Sequence, residues 1–190
     1  MSMEVAERLV WDRFIRFFHW SLVFGIAGAY FSATYHYMTV HQWLGYYLCC
    51  LIVCRGVWGF IGTPYARFCS FVFSPITVIG YLISMVKNRP VYFIGHNPAG
   101  AMMVYLPLGV LLVMLVSGLV TLGAIDYEGP LLIVSNVLKD ERVYQIQFIH
   151  EWLGTYVWVF IAVHVIGVVV SSIQHGENLV MAMITGKKIK

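Results

Sequence analysis

Long, uninterrupted apolar runs are the feature that most constrains how this chain can fold. A helix needs about 20 residues to cross about 30 Å of hydrocarbon, and four runs reach that length, roughly residues 14–34, 41–62, 99–123 and 143–172. The runs are continuous rather than alternating, which indicates helices and not the strands of a barrel. Only 11% of the residues are charged, against about 25% in a soluble domain. We therefore predict an all-α membrane protein, one four-transmembrane-helix domain over residues 1–190.

The distribution of basic residues predicts the orientation of this bundle. Of the 12 Lys and Arg residues, only Lys139 and Arg142 fall in the third-to-fourth connection, and none falls in the first-to-second connection. The others lie in the N-terminal arm, around the second-to-third connection and in the tail that ends at Lys190. With four spans, these basic segments share one side, which the positive-inside rule makes cytoplasmic. Both termini are therefore expected on the cytoplasmic side of the membrane.

Two shorter apolar segments are interpreted as interfacial. In SPITVIGYLISMV, Ser74 is expected to cap a short helix between the second and third spans, with Pro75 as its first residue. A fifth span at this point would move the basic tail to the outer side, so we reject it. The tail QHGENLVMAMITGKKIK mixes apolar and basic residues, which is typical of a segment on the membrane surface. A solvated or partly disordered tail is the alternative.

Four histidines fall inside the predicted spans. Titratable groups at membrane depth are costly, usually face the bundle interior and often mark a functional site. His150 and His164 are fourteen residues apart in the fourth span, which places them on one helix face and about 21 Å apart along the axis. Each then needs a partner at its own depth. His41, at the outer start of the second span, matches His150, and His19, near the cytoplasmic start of the first, matches His164.

Glycine and arginine residues accompany these histidines. The pattern H-x-W-L-G-x-Y occurs in both the second and the fourth span, and it places Gly45 and Gly154 four residues after a histidine. Glycine on that face leaves room for a flat ring beside its axial ligand. Arg55 stands fourteen residues after the second-span histidine, and Arg16 stands three residues before the first-span histidine. A buried arginine needs an anion, and a haem propionate would supply one.

The histidines admit other interpretations. A single intramembrane histidine is often only an interhelical hydrogen-bonding residue. Zinc or copper sites need three or four ligands in one small sphere, whereas these histidines divide into two distant pairs. Proton relays usually include acidic groups, and no Asp or Glu falls in the middle of a span. A haem-free metal or proton transporter stays the alternative from another class, and a passive membrane anchor is a third.

The three other histidines lie in connections or at a helix end. We interpret His36, His96 and His175 as ordinary polar residues, with His36 as a competitor for the role of His41. The chain contains no Cys-x-x-Cys-His motif, so a haem would not be attached in the c-type way.

Several motifs resemble those of the prokaryotic cytochrome b561 family. Its members are small four-helix, di-haem membrane cytochromes related to the cytochrome b subunits of nickel-iron hydrogenases. The resembling stretches are RFFHW, HQWLG, IGHNPAG, HEWLG, AVH and ENLVMAMITGKK. The resemblance implies two haem b groups, an outer one on His41 and His150 and an inner one on His19 and His164. It also implies that Arg16 and Arg55 bind propionates and that quinone is exchanged.

Electron transfer is the function expected of such a chain. A haem with two axial histidines has no open position for oxygen or substrate. We expect electrons to pass between the quinone pool and a periplasmic redox partner, either a c-type cytochrome or a redox enzyme subunit. Lipid completes the expected partners, and no nucleic acid is expected. Whether the protein is itself a quinone-linked oxidoreductase is left open by the sequence.

The charge of the outer connection bears on the alternatives among electron-transfer functions. Residues 124–144 carry a formal charge of −2, which would steer a basic protein toward this face and repel small anions. Superoxide:quinone oxidoreductase activity is therefore ranked below transfer to a partner cytochrome. A subunit of a hydrogenase-like complex is the other alternative. The short first connection, about residues 35–40, argues against it, because hydrogenase subunits tend to carry a longer insertion there.

Overall fold

The computed structural model describes residues 7–189, and Lys190 of the predicted basic tail lies outside this range. Short strands at the two ends enclose six α-helices and two 3₁₀ helices within the described residues. In chain order the elements are β1 (Glu7–Leu9), α1 (Arg13–Thr34), α2 (Met38–Ile61), a 3₁₀ helix (Phe68–Phe71), α3 (Pro75–Val86), α4 (Pro98–Ile125), a 3₁₀ helix (Leu132–Asn136), α5 (Asp140–His175), α6 (Leu179–Thr185) and β2 (Lys187–Ile189).

Four of these helices are long and apolar enough to cross a membrane. Helices α1, α2, α4 and α5 contain 22, 24, 28 and 36 residues, and each qualifies as a span by its length and composition. Their ends lie within three residues of the predicted spans. The prediction of an all-α membrane protein with four transmembrane helices is confirmed.

The short helix after the second span begins as predicted. The Ser74 hydroxyl accepts a hydrogen bond from the backbone N–H of Thr77, and Pro75 is the first helical residue of α3. Twelve residues extend about 18 Å, well short of the about 30 Å that a span must cover. This helix is therefore not a fifth span, and its location at the membrane interface stays a prediction.

The chain divides into two compact units whose boundaries fall inside the four long helices. Unit 1 takes in the described residues up to Leu22, the segment Val53–Tyr105 and the chain from Ala162 onward. Unit 2 consists of Val23–Ile52 and Leu106–Ile161. Each long helix therefore contributes residues to both units.

Unit 1 joins the two ends of the described chain. Strands β1 and β2 pair antiparallel, with Arg8 opposite Lys188. The carbonyl of Gly186, the left-handed residue that ends α6, accepts hydrogen bonds from the backbone N–H groups of Val10 at 2.8 Å and Trp11 at 3.0 Å. The tail therefore has a defined fold up to residue 189, and the alternative of a disordered tail is wrong for this part of it.

An ion pair and a phenol hydrogen bond extend this junction. Lys188 Nζ lies 3.5 Å from Glu177 Oε2, and the Tyr92 hydroxyl donates to Glu177 Oε1 at 2.6 Å. Burial and this hydrogen bond raise the pKa of Tyr92 to about 12. Burial lowers the pKa of Lys188, while Glu177 opposes the shift. The tail is thus tied to the connection between α3 and α4 as well as to β1.

A small apolar core in unit 1 surrounds the start of α1. Its buried members are Val10, Trp11, Ile15, Ala66 and Ala182. Partly buried side chains pack around them, namely Phe14, Trp58, Tyr65, Ile94 and Met183. The arm before α1, the connection after α2 and helix α6 therefore share one core.

Asp12 fixes the beginning of α1 against this core. Its Oδ1 accepts from the backbone N–H of Ile15 at 2.8 Å, as a helix cap does. Its Oδ2 accepts from Trp58 Nε1 at 3.0 Å and from the Thr63 hydroxyl at 2.6 Å. Burial raises the pKa of Asp12, but hydrogen bonds from Thr63, Ile15, Trp58 and the Phe14 backbone outweigh it, so the pKa lies below the ordinary value of 3.8.

We expect Asp12→Asn to lower the free energy of unfolding by about 1.5–3 kcal/mol, the usual contribution of a hydrogen bond to a charged group. Since the folded-state pKa is depressed, this stabilisation is present above pH 3.8 and is lost as the pH falls through the folded-state value. Thermal unfolding in detergent at several pH values measures both effects. Asp126→Asn, at an exposed residue, is the control. Equal melting temperatures for Asp12→Asn and wild type at neutral pH would contradict this role.

Candidate functional site

Unit 2 brings His41 of α2 and His150 of α5 together. Their ring centroids are 6.0 Å apart and their planes make an angle of 86°. His41 Nδ1 lies 2.8 Å from the carbonyl oxygen of Ala29, and His150 Nδ1 lies 2.8 Å from that of Met114. A carbonyl oxygen only accepts, so each Nδ1 carries the hydrogen. In both rings Nε2 is then the unprotonated nitrogen, the form in which imidazole binds a metal.

Helix α4 shapes the position of His150. An ideal Cβ on Gly118 would lie 2.7 Å from His150 Cε1 and 3.1 Å from its Nδ1, so only glycine admits the ring at this distance. The Ser117 hydroxyl donates to the Met114 carbonyl at 2.8 Å and lies 3.4 Å from His150 Nδ1. None of these three residues, Met114, Ser117 and Gly118, was predicted from the sequence. Only Gly118, a glycine inside an apolar span, left a signal that could have been noticed.

Close packing of α1 against α2 within unit 2 supports the His41 side of the pair. Ideal Cβ atoms on Gly25 and Gly28 would lie 2.8 Å from the Leu48 side chain and 3.0 Å from that of Leu44. Small residues let membrane helices approach closely. The approach places the Ala29 carbonyl of α1 within hydrogen-bonding distance of His41.

Unit 1 brings His19 of α1 and His164 of α5 together. Their ring centroids are 6.2 Å apart, with an interplanar angle of 50°. His19 Nδ1 is buried and has no hydrogen-bond partner among residues 7–189. The ring also packs edge-on against Trp20, with centroids 5.2 Å apart. The tautomers of this pair are therefore not set by main-chain carbonyls in the way that those of unit 2 are.

Both centroid distances fit a metal held between two imidazoles. A metal–nitrogen bond is about 2 Å and each ring centroid lies about 1 Å behind its nitrogen, so opposed ligands of one ion have centroids about 6 Å apart. Groups of three or more His, Cys, Asp or Glu side chains arranged to hold a metal do not occur in the described part of the chain. Each candidate centre is thus a pair of histidines, as a bis-histidine haem requires.

The glycines and arginines singled out in the sequence have distinct surroundings. An ideal Cβ on Gly45 or Gly154 would meet nothing within 4 Å, so open space lies beside each. Arg55 is only 3% exposed, donates from Nη2 to the Ala66 carbonyl at 3.2 Å, and holds its carbon Cζ 4.5 Å from the Phe68 ring centroid. Arg16 Nη1 donates to the Ile184 carbonyl at 2.6 Å. Both side chains are in unit 1.

The remaining histidines differ from one another. His36 is exposed in the turn between α1 and α2 at φ 61°, whereas His41 is the residue opposite His150. His175 Nε2 lies 3.3 Å from the Tyr81 hydroxyl, as suits an ordinary polar residue. His96 does not: its ring is packed against Trp11 and Phe71, with centroids 4.6 and 4.2 Å away. Its position in a polar connection, IGHNPAG, gave no sign of this burial.

The four apolar helices define a multi-pass membrane protein, and paired histidines within the helices are a ligand set suited to haem. The model of the prokaryotic cytochrome b561 family matches residues 10–186. The chain therefore belongs to this family, which makes it a multi-pass bacterial membrane protein of the b-type cytochromes that bind haem and act in electron transfer. Comparison with curated proteins and with solved structures finds no match.

Gly118→Ala is expected to reduce the amount of b-type haem that the purified protein retains. The added Cβ would meet the His150 ring at 2.7 Å, so the ring must move away from its position opposite His41. Gly109→Ala, on the same helix, is the matched control, because a Cβ there meets nothing within 4 Å. A pyridine haemochrome assay measures the haem content per chain of both variants. Equal haem content in the two variants would show that the position of His150 does not depend on Gly118.

Proposed function

We propose that this protein is a di-haem b-type cytochrome that passes electrons between the membrane quinone pool and a periplasmic redox partner, in particular a c-type cytochrome. The observation that carries the proposal is the presence of two histidine pairs with centroids 6.0 and 6.2 Å apart. Both termini would lie on the cytoplasmic side, as the basic residues predict. The outer centre is then the pair in unit 2, and the inner centre is the pair in unit 1.

The ligands divide between the two centres by unit. His41 and His150 would hold the outer haem through Nε2, because their Nδ1–H groups are engaged by carbonyls. His19 and His164 would hold the inner one. A haem with both axial positions filled supplies one-electron transfer and offers no position to oxygen or substrate. The protein's part is to fix both rings and to exclude a competing ligand.

The space and charge around the histidines support the same assignment. Gly45 and Gly154 leave open space four residues beyond the outer ligands, where a flat macrocycle can approach the helix backbone. Arg55 and Arg16 would bind propionate carboxylates at the inner centre, since a guanidinium forms charge-assisted hydrogen bonds with carboxylates. Arg16 Nε and Arg55 Nη1 are buried donors without partners in the described chain. Each could therefore donate a hydrogen bond to a propionate.

One helix connects the two centres. His150 and His164 both belong to α5, and the fourteen residues between them span about 21 Å of helix. This rise supports transfer of electrons between two depths of the membrane. Quinone exchange is part of the proposal because the family resemblance implies it.

We expect the purified wild-type protein to bind two haem b groups per chain, and His150→Ala and His164→Ala to bind about one each. Each substitution removes one axial ligand from a different pair, so the two variants should keep haems that differ in spectrum and midpoint potential. A pyridine haemochrome assay and a reduced-minus-oxidised spectrum measure this. His36→Ala, at the exposed turn, should keep both haems.

Each other outcome favours a different alternative. A folded but colourless wild-type protein would exclude electron transfer and support a metal or proton transporter. Full haem content in both alanine variants would disprove the ligand assignment. A single haem in the wild-type protein would show that one pair does not bind haem.

The partner can be tested through charge on the outer connection. Asp126 and Glu128 are exposed, and their replacement by lysine should slow electron exchange with a basic c-type cytochrome about tenfold at low salt, because the attractive field is reversed. The difference should shrink as salt screens the field over about 10 Å. Stopped-flow absorbance of the haem bands measures the rate. Faster reduction of the haems by superoxide than by any c-type cytochrome would instead favour the superoxide:quinone alternative.

A further inference from the structure

Unit 1 contains buried donors that lack acceptors. Four of the buried, unpartnered side-chain atoms in the described chain are nitrogens, and all four belong to this unit: Arg16 Nε, His19 Nδ1, Arg55 Nη1 and His96 Nδ1. A buried donor without a partner costs about 1–3 kcal/mol, and most buried polar groups in proteins are satisfied. Several buried nitrogens without a partner in one unit indicate an acceptor that the described chain does not supply.

His96 is the member of this group that the proposed function leaves unexplained. Its ring is enclosed by Trp11 and Phe71. Burial, together with the nearby charges of Arg55 and Lys188, lowers its pKa to about 3. The imidazole is therefore neutral at physiological pH, and as the Nδ1–H tautomer it presents a buried hydrogen-bond donor at Nδ1.

Arg55 lies beside the same aromatic surface. Its guanidinium stacks over Phe68, and Phe68 and Phe71 belong to one 3₁₀ helix, with ring centroids 6.2 Å apart. The arginine keeps its charge even when buried. Lys188 and Glu177 form an ion pair, whereas Arg55 has no carboxylate at salt-bridge distance among the side chains that the structure describes.

Asp12 is the carboxylate whose charge acts on Arg55, but it already accepts other hydrogen bonds. Both of its oxygens accept hydrogen bonds, from the Ile15 backbone and from the side chains of Trp58 and Thr63. The positive end of α4 lies two residues beyond His96, where the Asn97 side chain accepts from the Gly100 N–H at 2.7 Å. Helix N-termini favour negative charge. Donors and positive charge therefore collect here, and an anionic ligand would supply the missing acceptor.

We propose that His96 donates a hydrogen bond to a carboxylate that Arg55 also binds, and that this carboxylate is a propionate of the inner haem. The inference rests on the proposed function, because it needs a haem on His19 and His164, which belong to the same unit. It assigns a binding role to His96 and explains why the buried Nδ1 of a half-buried imidazole has no partner in the described chain.

The test compares haem with its dimethyl ester, whose propionates carry no charge. The full chain with His150→Ala is used, so that the inner pair alone loads, and affinity is measured by titrating haem-free protein. His96→Phe keeps the aromatic packing and removes the donor. It should weaken binding of haem b about tenfold or more, as expected for a hydrogen bond to a charged group, and leave binding of the dimethyl ester unchanged.

Two variants control this measurement. His96→Gln restores a side-chain N–H and should recover most of the affinity for haem b. His175→Phe alters another histidine of unit 1, one that faces the Tyr81 hydroxyl, and should leave both affinities unchanged. Equal losses for haem and its ester in His96→Phe would mean that His96 acts through packing. That result, or no loss at all, overturns the proposal.

Failure of the proposed function gives a different result. If the wild-type protein binds no haem, both proposals fall. If it binds two haems and His96→Phe has no effect, only the role of His96 is disproved. If His96→Phe does not fold, a second measurement takes the place of the affinity titration. Resonance Raman spectra of His96→Gln then report the propionate bending bands of the inner haem. They must shift from the wild-type position, because the donor has changed, and unchanged bands would overturn the proposal.

Discussion

Two hydrogen bonds from histidine Nδ1 atoms to main-chain carbonyls determine what unit 2 can do. Without them, the imidazoles of His41 and His150 would carry an uncompensated polar group into the membrane, and either nitrogen of each ring could hold the proton. The carbonyls of Ala29 and Met114 satisfy the donor and fix the tautomer together. In a region without water this requirement is strict. Helices α1 and α4 therefore matter to the candidate site although neither carries His41 or His150.

In unit 1, main-chain carbonyls of the described residues do not provide an acceptor for the buried Nδ1 atom of His19. The histidine pair here is as close as that of unit 2, but His19 Nδ1 has no described acceptor, and neither has Arg55 Nη1 or His96 Nδ1. Burial of these groups costs free energy unless a ligand supplies the acceptors. Loading with an anionic ligand should therefore stabilise this unit, because the ligand would supply acceptors to its buried donors. Binding and folding are coupled here in the way that cofactors generally stabilise the state that binds them.

The sequence predicted those parts of this structure that depend on periodicity and composition. Apolar runs located the four spans to within three residues, and helical spacing identified the histidines that the structure brings together, His19 with His164 and His41 with His150. The acceptors for Nδ1 are main-chain atoms, which any residue could have provided, so no pattern could reveal them. His96 was missed for another reason: burial of a connection by a distant segment, here the arm with Trp11, depends on tertiary contacts that local sequence does not encode.

The repeat in α2 and α5 shows how two similar helices take different roles. Both begin the pattern with a histidine and place a glycine four residues later, but the position fourteen residues on is Arg55 in α2 and His164 in α5. A metal held by two histidines needs both rings at one place, and in unit 1 the His19 ring centroid lies 6.2 Å from that of His164. An arginine in α2 instead brings a fixed positive charge, 3% exposed, which no described carboxylate pairs with at salt-bridge distance. The arginine at this position of α2 thus gives unit 1 a buried positive charge suited to an anionic group.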